Sequence, residues 1–103
     1  MAESFSYKLT TENELFSFDF SQVLTTGETL LTASCSVIVK DGTDASPSSI
    51  LYGSAAIVGS KATQRIYSGI SEVTYRLVMT VTTSLSNTFT AVGDLTVYSS
   101  DLV

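Results

Sequence analysis

The sequence predicts an all-β antiparallel sandwich, and three observations lead to that class. No stretch of the chain keeps the apolar period of an amphipathic helix. About seven segments alternate apolar and polar residues, and turn-forming residues separate them at roughly 8–12-residue intervals, as in sandwiches and barrels. The clearest alternation covers residues 73–83, with apolar side chains at every second position. This segment is therefore predicted to be a central strand with one face on the core.

The first two predicted strands are short and aromatic. In residues 5–9, Phe5, Tyr7 and Leu9 alternate with polar residues, which predicts a strand with those three on one face. In residues 15–21, Phe18 shares one face with two further phenylalanines at positions 16 and 20. Three phenylalanines on one face bury a large apolar area, so this strand is expected to supply much of the core.

The third predicted strand, residues 29–40, is the second long alternation in the chain. Its core face is expected to hold Leu31, Ala33, Cys35, Val37 and Val39. Residues 41–48 form the most loop-like segment, because they contain the turn-forming pair Asp41-Gly42 and the only proline, Pro47. The remaining strands are predicted at residues 49–59, 62–67 and 89–98.

Tyr75 narrows the prediction to an immunoglobulin-like sandwich without a disulfide. In that fold a tyrosine near the start of the penultimate strand bonds back to the preceding corner, and Tyr75 follows the turn-like residues 68–72. Leu77 stands two residues later, where the second cysteine would be, and Cys35 is placed where the usual disulfide partner would stand. Cys35 is therefore expected to pack against Leu77. The alternative is that Tyr75 is an ordinary half-buried strand tyrosine.

Composition limits the possible classes of function. A chain of 103 residues predicts one domain, residues 1–103. Five scattered basic residues against ten acidic ones, a net charge of −5, make nucleic acid a poor partner. No apolar run reaches the roughly 20 residues of a membrane span. The single cysteine excludes an intrachain disulfide.

The residue types give little support to catalysis or cofactor binding. The chain has no histidine, which removes Ser-His-Asp and Cys-His nucleophiles and histidine-based zinc sites. Cys35 lies among apolar positions and is expected to be a buried, unreactive thiol. Acidic residues fall mostly at predicted turns, and the segment from Asp41 to Asp44 lacks the ligands of a calcium loop. We therefore expect no enzyme, no cofactor and no metal site.

Several short motifs together resemble a group of small structural proteins of tailed bacteriophages with an immunoglobulin-like sandwich. The motifs are Phe16-Ser17-Phe18-Asp19-Phe20-Ser21, Gly27-Glu28-Thr29-Leu30, Leu51-Tyr52-Gly53, Gln64-Arg65-Ile66, Tyr75-Arg76-Leu77 and Thr80-Val81-Thr82-Thr83-Ser84. The chain differs from that group at residues 68–72, where the group has additional glycines. The resemblance spans nearly the whole chain and implies a virion component that is assembled in the host cytoplasm.

The resemblance implies a non-enzymatic virion protein, first of all a capsid cement or decoration protein that binds and stabilises the lattice of the major capsid protein. A neck or tail accessory protein is the alternative, and an adhesive module for a host surface or glycan is another. Partners would be the major capsid protein or neighbouring virion proteins, and the protein would be homo-oligomeric or present in many copies on the particle. Interface residues are expected at Phe5, Tyr7, Asp41, Gly42, Asp44 and Pro47. A patch of Tyr7, Tyr52, Tyr67 and Tyr98 is a further candidate for binding sugar or protein.

Overall fold

The computed structural model describes residues 2–5 and 7–102, and it confirms the all-β sandwich. The strands are β1 (Ala2–Ser4), β2 (Lys8–Leu9), β3 (Asn13–Asp19), β4 (Leu30–Asp41), β5 (Leu51–Val58), β6 (Lys61–Tyr67), β7 (Val73–Thr83) and β8 (Thr88–Tyr98). Short 3-10 turns occupy Pro47–Ile50 and Ser100–Leu102.

Two sheets pack face to face. The larger sheet runs in the order β1, β8, β7, β4, and the smaller in the order β3, β6, β5. Strands β1 and β2 follow each other along β8, and both pair with it in parallel, whereas the other pairings are antiparallel. When β1 and β2 are counted as one strand, the sandwich has seven strands. The second, fourth and fifth of these (β3, β5 and β6) form one sheet, and the third, sixth and seventh (β4, β7 and β8) belong to the other, as in immunoglobulin sandwiches.

Strand β7 is the central strand that its alternation predicts. It lies between β4 and β8, and Tyr75, Leu77, Met79 and Val81 on its inner face are completely buried. Because an extended strand turns successive side chains to opposite faces, its polar residues lie outward. The core of the sandwich is built on this strand.

The phenylalanines of the β3 region cover the core from the smaller sheet. Phe16, Phe18 and Phe20 are all buried, as their alternation predicts. Asp19 lies on the outer face, and its carboxylate accepts the Ser21 backbone N–H at 2.9 Å. This bond favours the turn that ends the strand.

The prediction of one regular strand over residues 5–9 is wrong. Ser4 lies opposite Asp94 and Lys8 opposite Val97. An advance of four residues in the N-terminal segment therefore matches an advance of only three residues in β8. One extra residue reverses the alternation beyond it. Phe5 consequently packs against the core, Tyr7 is exposed and Lys8 is buried.

A second irregularity changes the start of β4. The pairing with β7 shifts by one residue between Leu30 and Thr32. Leu30 is therefore turned inward and is 7% exposed, whereas Leu31 is 60% exposed. The prediction of Leu31 on the core face is wrong because one bulged residue exchanges the two faces of a strand. The other predicted inner residues of β4 do contact the core.

Candidate interaction surfaces

The turn before β7 is held by the hydroxyl of Tyr75, the residue predicted to mark the corner. The Ile70 backbone N–H donates to this hydroxyl at 2.9 Å, and the hydroxyl donates to Asp44 Oδ2 at 2.7 Å. Burial raises the pKa of Tyr75 to about 12. Asp44 also accepts the Ser46 backbone N–H at 2.9 Å, so its carboxylate is used by the fold itself.

Glu28 forms a similar polar link at the other end of β7. Its side chain is buried, and its carboxylate accepts from the Thr83 hydroxyl, the Asn87 amide at 2.8 Å and the Thr25 backbone N–H at 3.0 Å. These hydrogen bonds, that of Thr83 first, lower the pKa of Glu28 to about 2. Glu28 thereby fixes the loop before β4 to the turn between β7 and β8.

Lys8 is a buried cation that the sequence did not indicate. Its Nζ donates to the backbone carbonyls of Leu9 at 2.8 Å and Ser68 at 2.7 Å. Burial lowers the pKa of Lys8, while the charges of Glu12 and Glu14 oppose that change. The ammonium links β2 to the turn between β6 and β7, and its hydrogen bonds offset part of the desolvation.

The outer face of the larger sheet is rich in hydroxyl groups, and we call it the threonine face. Its hydroxyl residues are Thr32, Ser34, Ser36, Thr74, Thr80, Thr82, Thr88, Thr90 and Thr96. The apolar side chains of Ile38, Val78 and Val92 and one charged cluster interrupt them. In the cluster, Asp94 accepts from Arg76 at 2.9 Å and from Lys40 at 2.6 Å. Arg76 first and Lys40 second lower the pKa of Asp94 to about 2.

The outer face of the smaller sheet carries aromatic and aliphatic side chains around one arginine, and we call it the tyrosine face. Strand pairing places Leu15, Arg65 and Tyr52 side by side. Leu15 is 48% and Tyr52 52% exposed, and the Tyr52 ring meets that of Tyr67 edge-on at 5.0 Å. Exposed Val58 lies further along β5. Tyrosine and arginine are enriched where protein partners bind most strongly.

Phe5 is half-buried and packs between the two sheets, so only part of its ring is open to solvent, and its contact with a partner stays a prediction. Its ring is 4.9 Å from that of Phe16 and 5.5 Å from that of Phe18. A Cβ added to Gly93 would come within 2.3 Å of the same ring. The Phe5 ring therefore occupies the space that the missing side chain of Gly93 leaves between the sheets.

The other predicted interface residues differ in exposure. Tyr7 is exposed, and its ring meets that of Tyr98 at 5.7 Å on the side of the larger sheet. The four tyrosines of the predicted patch are thus two pairs on opposite faces. Asp41 and Gly42 are exposed, whereas Asp44 and Pro47 are half-buried. Contact of these residues with a partner stays a prediction.

The placement of Cys35 differs from the expectation. Cys35 lies on β4 opposite Met79, and Val37 lies opposite Leu77. The immunoglobulin disulfide joins the two sheets, so the position that faces Leu77 belongs to β3, which carries Phe18. The prediction that Cys35 stands in the place of a disulfide cysteine is therefore wrong. Burial raises the pKa of Cys35 to about 11, so its thiol is not activated.

Two members of the tyrosine face, Tyr52 and Tyr67, belong to the tyrosine patch that the sequence predicts, whereas Leu15 and Arg65 do not. Fifty residues separate the paired positions 15 and 65 in the chain, and only the β3–β6 register brings them together. Local alternation carries no signal for that register beyond the outward direction of each side chain.

In the part of the chain that the structure describes, His, Cys, Asp and Glu residues form no group of three or more that could hold a metal ion. None of the described helices has the length and apolar character needed to cross a membrane. The candidate sites on this β-sandwich are the outer faces of its two sheets.

The family model of the podophage GP4 fiber-tail adaptor protein gp77 matches residues 8–96. Because the match covers most of the chain, the chain belongs to this family. The searches of curated proteins and of solved structures gave no match. The protein is a component of a tailed-phage virion.

The family match confirms the resemblance to structural proteins of tailed phages. It supports binding to other virion proteins and gives no support to the major capsid protein as the specific partner. It also favours the tail accessory alternative over the capsid cement interpretation. A family of structural adaptors further indicates a non-enzymatic role.

Proposed function

We propose that the protein joins a tail fibre to the tail of a podophage-type particle and holds each partner on a different surface. The observation that carries this proposal is the pair of outer faces with different chemistry on opposite sides of one sandwich. An adaptor needs two separate contact surfaces, and the family is described as a fiber-tail adaptor.

The tyrosine face supports a specific protein contact. Leu15 and Tyr52 are each about half exposed and flank Arg65. A partner that covers them would remove apolar area from water, which favours association by roughly 25 cal/mol per Å² before the costs of ordering. Arg65 could pair with a carboxylate of that partner.

The threonine face supports a second contact of another kind. Hydroxyl groups both donate and accept hydrogen bonds, so this face fits a polar partner surface with bound water. Within it, the Thr74 and Thr96 hydroxyls already bond to each other at 2.9 Å. Asp94 there neutralises only one of its two cationic partners, Arg76 and Lys40, so the charged cluster carries one net positive charge.

The polar links at the two ends of β7 support a rigid connection between the faces. Tyr75 with Asp44 holds one end, and Glu28 with Thr83 holds the other. Since both links join loops to the central strand, we expect the two outer faces to keep a fixed position and orientation relative to each other under load.

The first test is the appearance of particles made without this protein. We expect tails without fibres in negative-stain micrographs, and heads that keep their genome on heating as well as those of complete particles. Particles that keep their fibres would overturn the adaptor function. Fibred particles whose heads lose the genome on heating would instead support the capsid cement interpretation.

The second test separates the two faces. Arg65→Glu alters the tyrosine face, Thr80→Arg alters the threonine face, and Thr26→Arg in an exposed loop is the matched control. We expect one face variant to stay on the tail without holding a fibre, and the other to be absent from the particle. The control should assemble normally. If both face variants also assemble normally, neither face is a binding surface.

A further inference from the structure

We infer that the centre of the threonine face binds a segment of another virion protein in which an apolar side chain stands next to a carboxylate. The apolar side chain covers Ile38, Val78 and Val92. The carboxylate binds the two cations beside them, Lys40 and Arg76. The inference deepens the proposed function, since it rests on the threonine face being one of the two contact surfaces.

Three apolar side chains form a patch in the middle of this otherwise polar face. Val78 lies directly opposite Val92, and Ile38 is the diagonal neighbour of Val78, because its own opposite residue is Arg76. Opposite and diagonal neighbours in a sheet lie within roughly 5–8 Å of each other, so the patch is continuous. Ile38 is 53% exposed and both valines are half-buried. A partner that covers the patch therefore removes apolar surface from water.

The needs of strand formation do not explain these apolar side chains. Threonine is β-branched, as valine and isoleucine are, and it suits the outer face of a sheet as well. This face uses threonine on both sides of the patch, with Thr80 opposite Thr90 toward one end and Thr74 opposite Thr96 toward the other. An apolar centre within a polar rim is the usual arrangement of a protein interface.

The charged cluster beside the patch has room for a second carboxylate. Lys40 and Arg76 share the carboxylate of Asp94, and their side chains are 49% and 38% exposed. A guanidinium and an ammonium together carry more N–H donors than one carboxylate accepts. Among the described residues, neither cation pairs with another acidic side chain, and Asp41, opposite Thr74 on the same strand, forms no ion pair with them. A carboxylate of the partner would balance the remaining positive charge.

The occupant is another protein rather than the same face of a second copy. In a two-fold symmetric dimer, the same patch of both copies meets itself. Such a contact would bring two clusters of net positive charge together and would supply no further carboxylate. Under the proposed function, the carboxylate belongs to the tail or to the tail fibre.

The first experiment measures binding of the purified protein to two probes, particles made without it and the purified tail-fibre protein. Ile38→Ser removes the exposed apolar side chain of the patch. Leu31→Ser is the matched control, because Leu31 is 60% exposed on the same strand but lies outside the patch. We expect Ile38→Ser to weaken binding to one probe at least tenfold, and Leu31→Ser to leave both unchanged. Unchanged binding of Ile38→Ser to both probes would overturn the site.

The thermal midpoints of the free variants separate binding from folding. Because both side chains are more than half exposed, the two substitutions should change the thermal midpoint equally little. Sedimentation of the free protein tests the identity of the occupant. A free protein that sediments as an oligomer, and returns to a monomer on Ile38→Ser, would replace the separate partner by a second copy.

The second experiment tests the carboxylate of the partner directly. A carbodiimide joins a lysine amine to a carboxylate in contact with it, and mass spectrometry identifies the joined peptides. In the free protein, Lys40 should be joined to Asp94, its ion-pair partner. In complete particles, we expect Lys40 to be joined also to an aspartate or glutamate of another virion protein. Particles in which Lys40 is joined to Asp94 alone would contradict the proposal.

These outcomes distinguish the site from the adaptor function. Fibreless particles in the absence of the protein, combined with normal binding of Ile38→Ser to both probes, would keep the adaptor function and reject the site. Particles that keep their fibres in the absence of the protein, combined with weakened binding of Ile38→Ser to those particles, would do the reverse.

Discussion

The two long sides of the sandwich differ in how the core is closed. On the side of β8 and β3, the segment from Ala2 to Leu9 adds hydrogen bonds to β8 and places Phe5 in the core. On the side of β4 and β5, the chain supplies no further strand among the described residues. The core is therefore closed by an added strand on one side, whereas on the other side the apolar residues of β4 and β5 stay partly exposed, and we call that side open.

Among substitutions on the two long sides, the largest effect is expected from removing the ring that closes one of them. Phe5→Ala should lower the free energy of unfolding by about 2–3 kcal/mol, somewhat below the range for a fully buried phenylalanine, because Phe5 is half-buried. The thermal midpoint should fall by about 10–20 °C in a domain of this size. Calorimetry measures both quantities. Tyr7→Ala, at an exposed ring of the same segment, should cost much less, and equal losses would contradict the comparison.

Gly93→Ala should act through the same contact with a smaller effect. The added methyl group would collide with the Phe5 ring, and overpacking of this kind costs about 1–3 kcal/mol. In a Phe5→Ala background the collision is absent, so the second substitution should cost little there. Denaturant unfolding of the four proteins of this cycle measures the coupling. If the losses in free energy of unfolding from the two single substitutions simply add in the double variant, Phe5 does not fill the space above Gly93.

Acid should weaken the end of the sandwich at Glu28 while both long sides keep their apolar contacts. The folded-state pKa of Glu28, about 2, is below its ordinary value of 4.5. Its contribution is thus complete above pH 4.5 and is lost as the pH falls toward 2. Between pH 6 and pH 3, Glu28→Gln should lose less thermal stability than the original protein. If thermal stability falls equally with pH in the two proteins, the acid effect does not come from Glu28.

The smallest effect is expected on the open side. Cys35→Ala removes one half-buried sulfur, so the free energy of unfolding should fall by less than about 1 kcal/mol. Met79→Ala, directly opposite on β7 and completely buried, should cost about 2–5 kcal/mol. Chemical denaturation compares the pair. If Cys35→Ala lowers the free energy of unfolding as much as Met79→Ala does, the side of β4 and β5 is packed as tightly as the inner face of β7.

The sequence was sufficient for the features that depend on local alternation. Strand β7, the phenylalanines of β3 and the corner position of Tyr75 all follow from side-chain spacing within one segment. These residues lie on long, regular strands or directly beside a turn. In such segments every second residue lies on the buried face, so the alternation of apolar and polar residues predicts which side chains are buried.

Other features depend on single-residue irregularities and on which strands pair. One extra residue before Lys8 and one bulge beside Leu31 reverse a face without any change in composition. The sheet that contains Cys35 is decided by the pairing of β4 with β7, which is a long-range property. The meeting of Leu15 with Arg65 has the same origin, so local patterns could not predict it.

The parallel pairing along β8 also has a mechanical consequence. The ladder runs from Ala2 opposite Val92 to Leu9 opposite Tyr98, and Thr10 extends it with a backbone bond of 2.9 Å to the Tyr98 carbonyl. A pull that separates Ala2 from Tyr98 along the strands acts on these bonds in shear, so many must break together. An antiparallel hairpin pulled at its open end would instead unzip one pair at a time. Tension on the adaptor would therefore meet its strongest resistance along this direction.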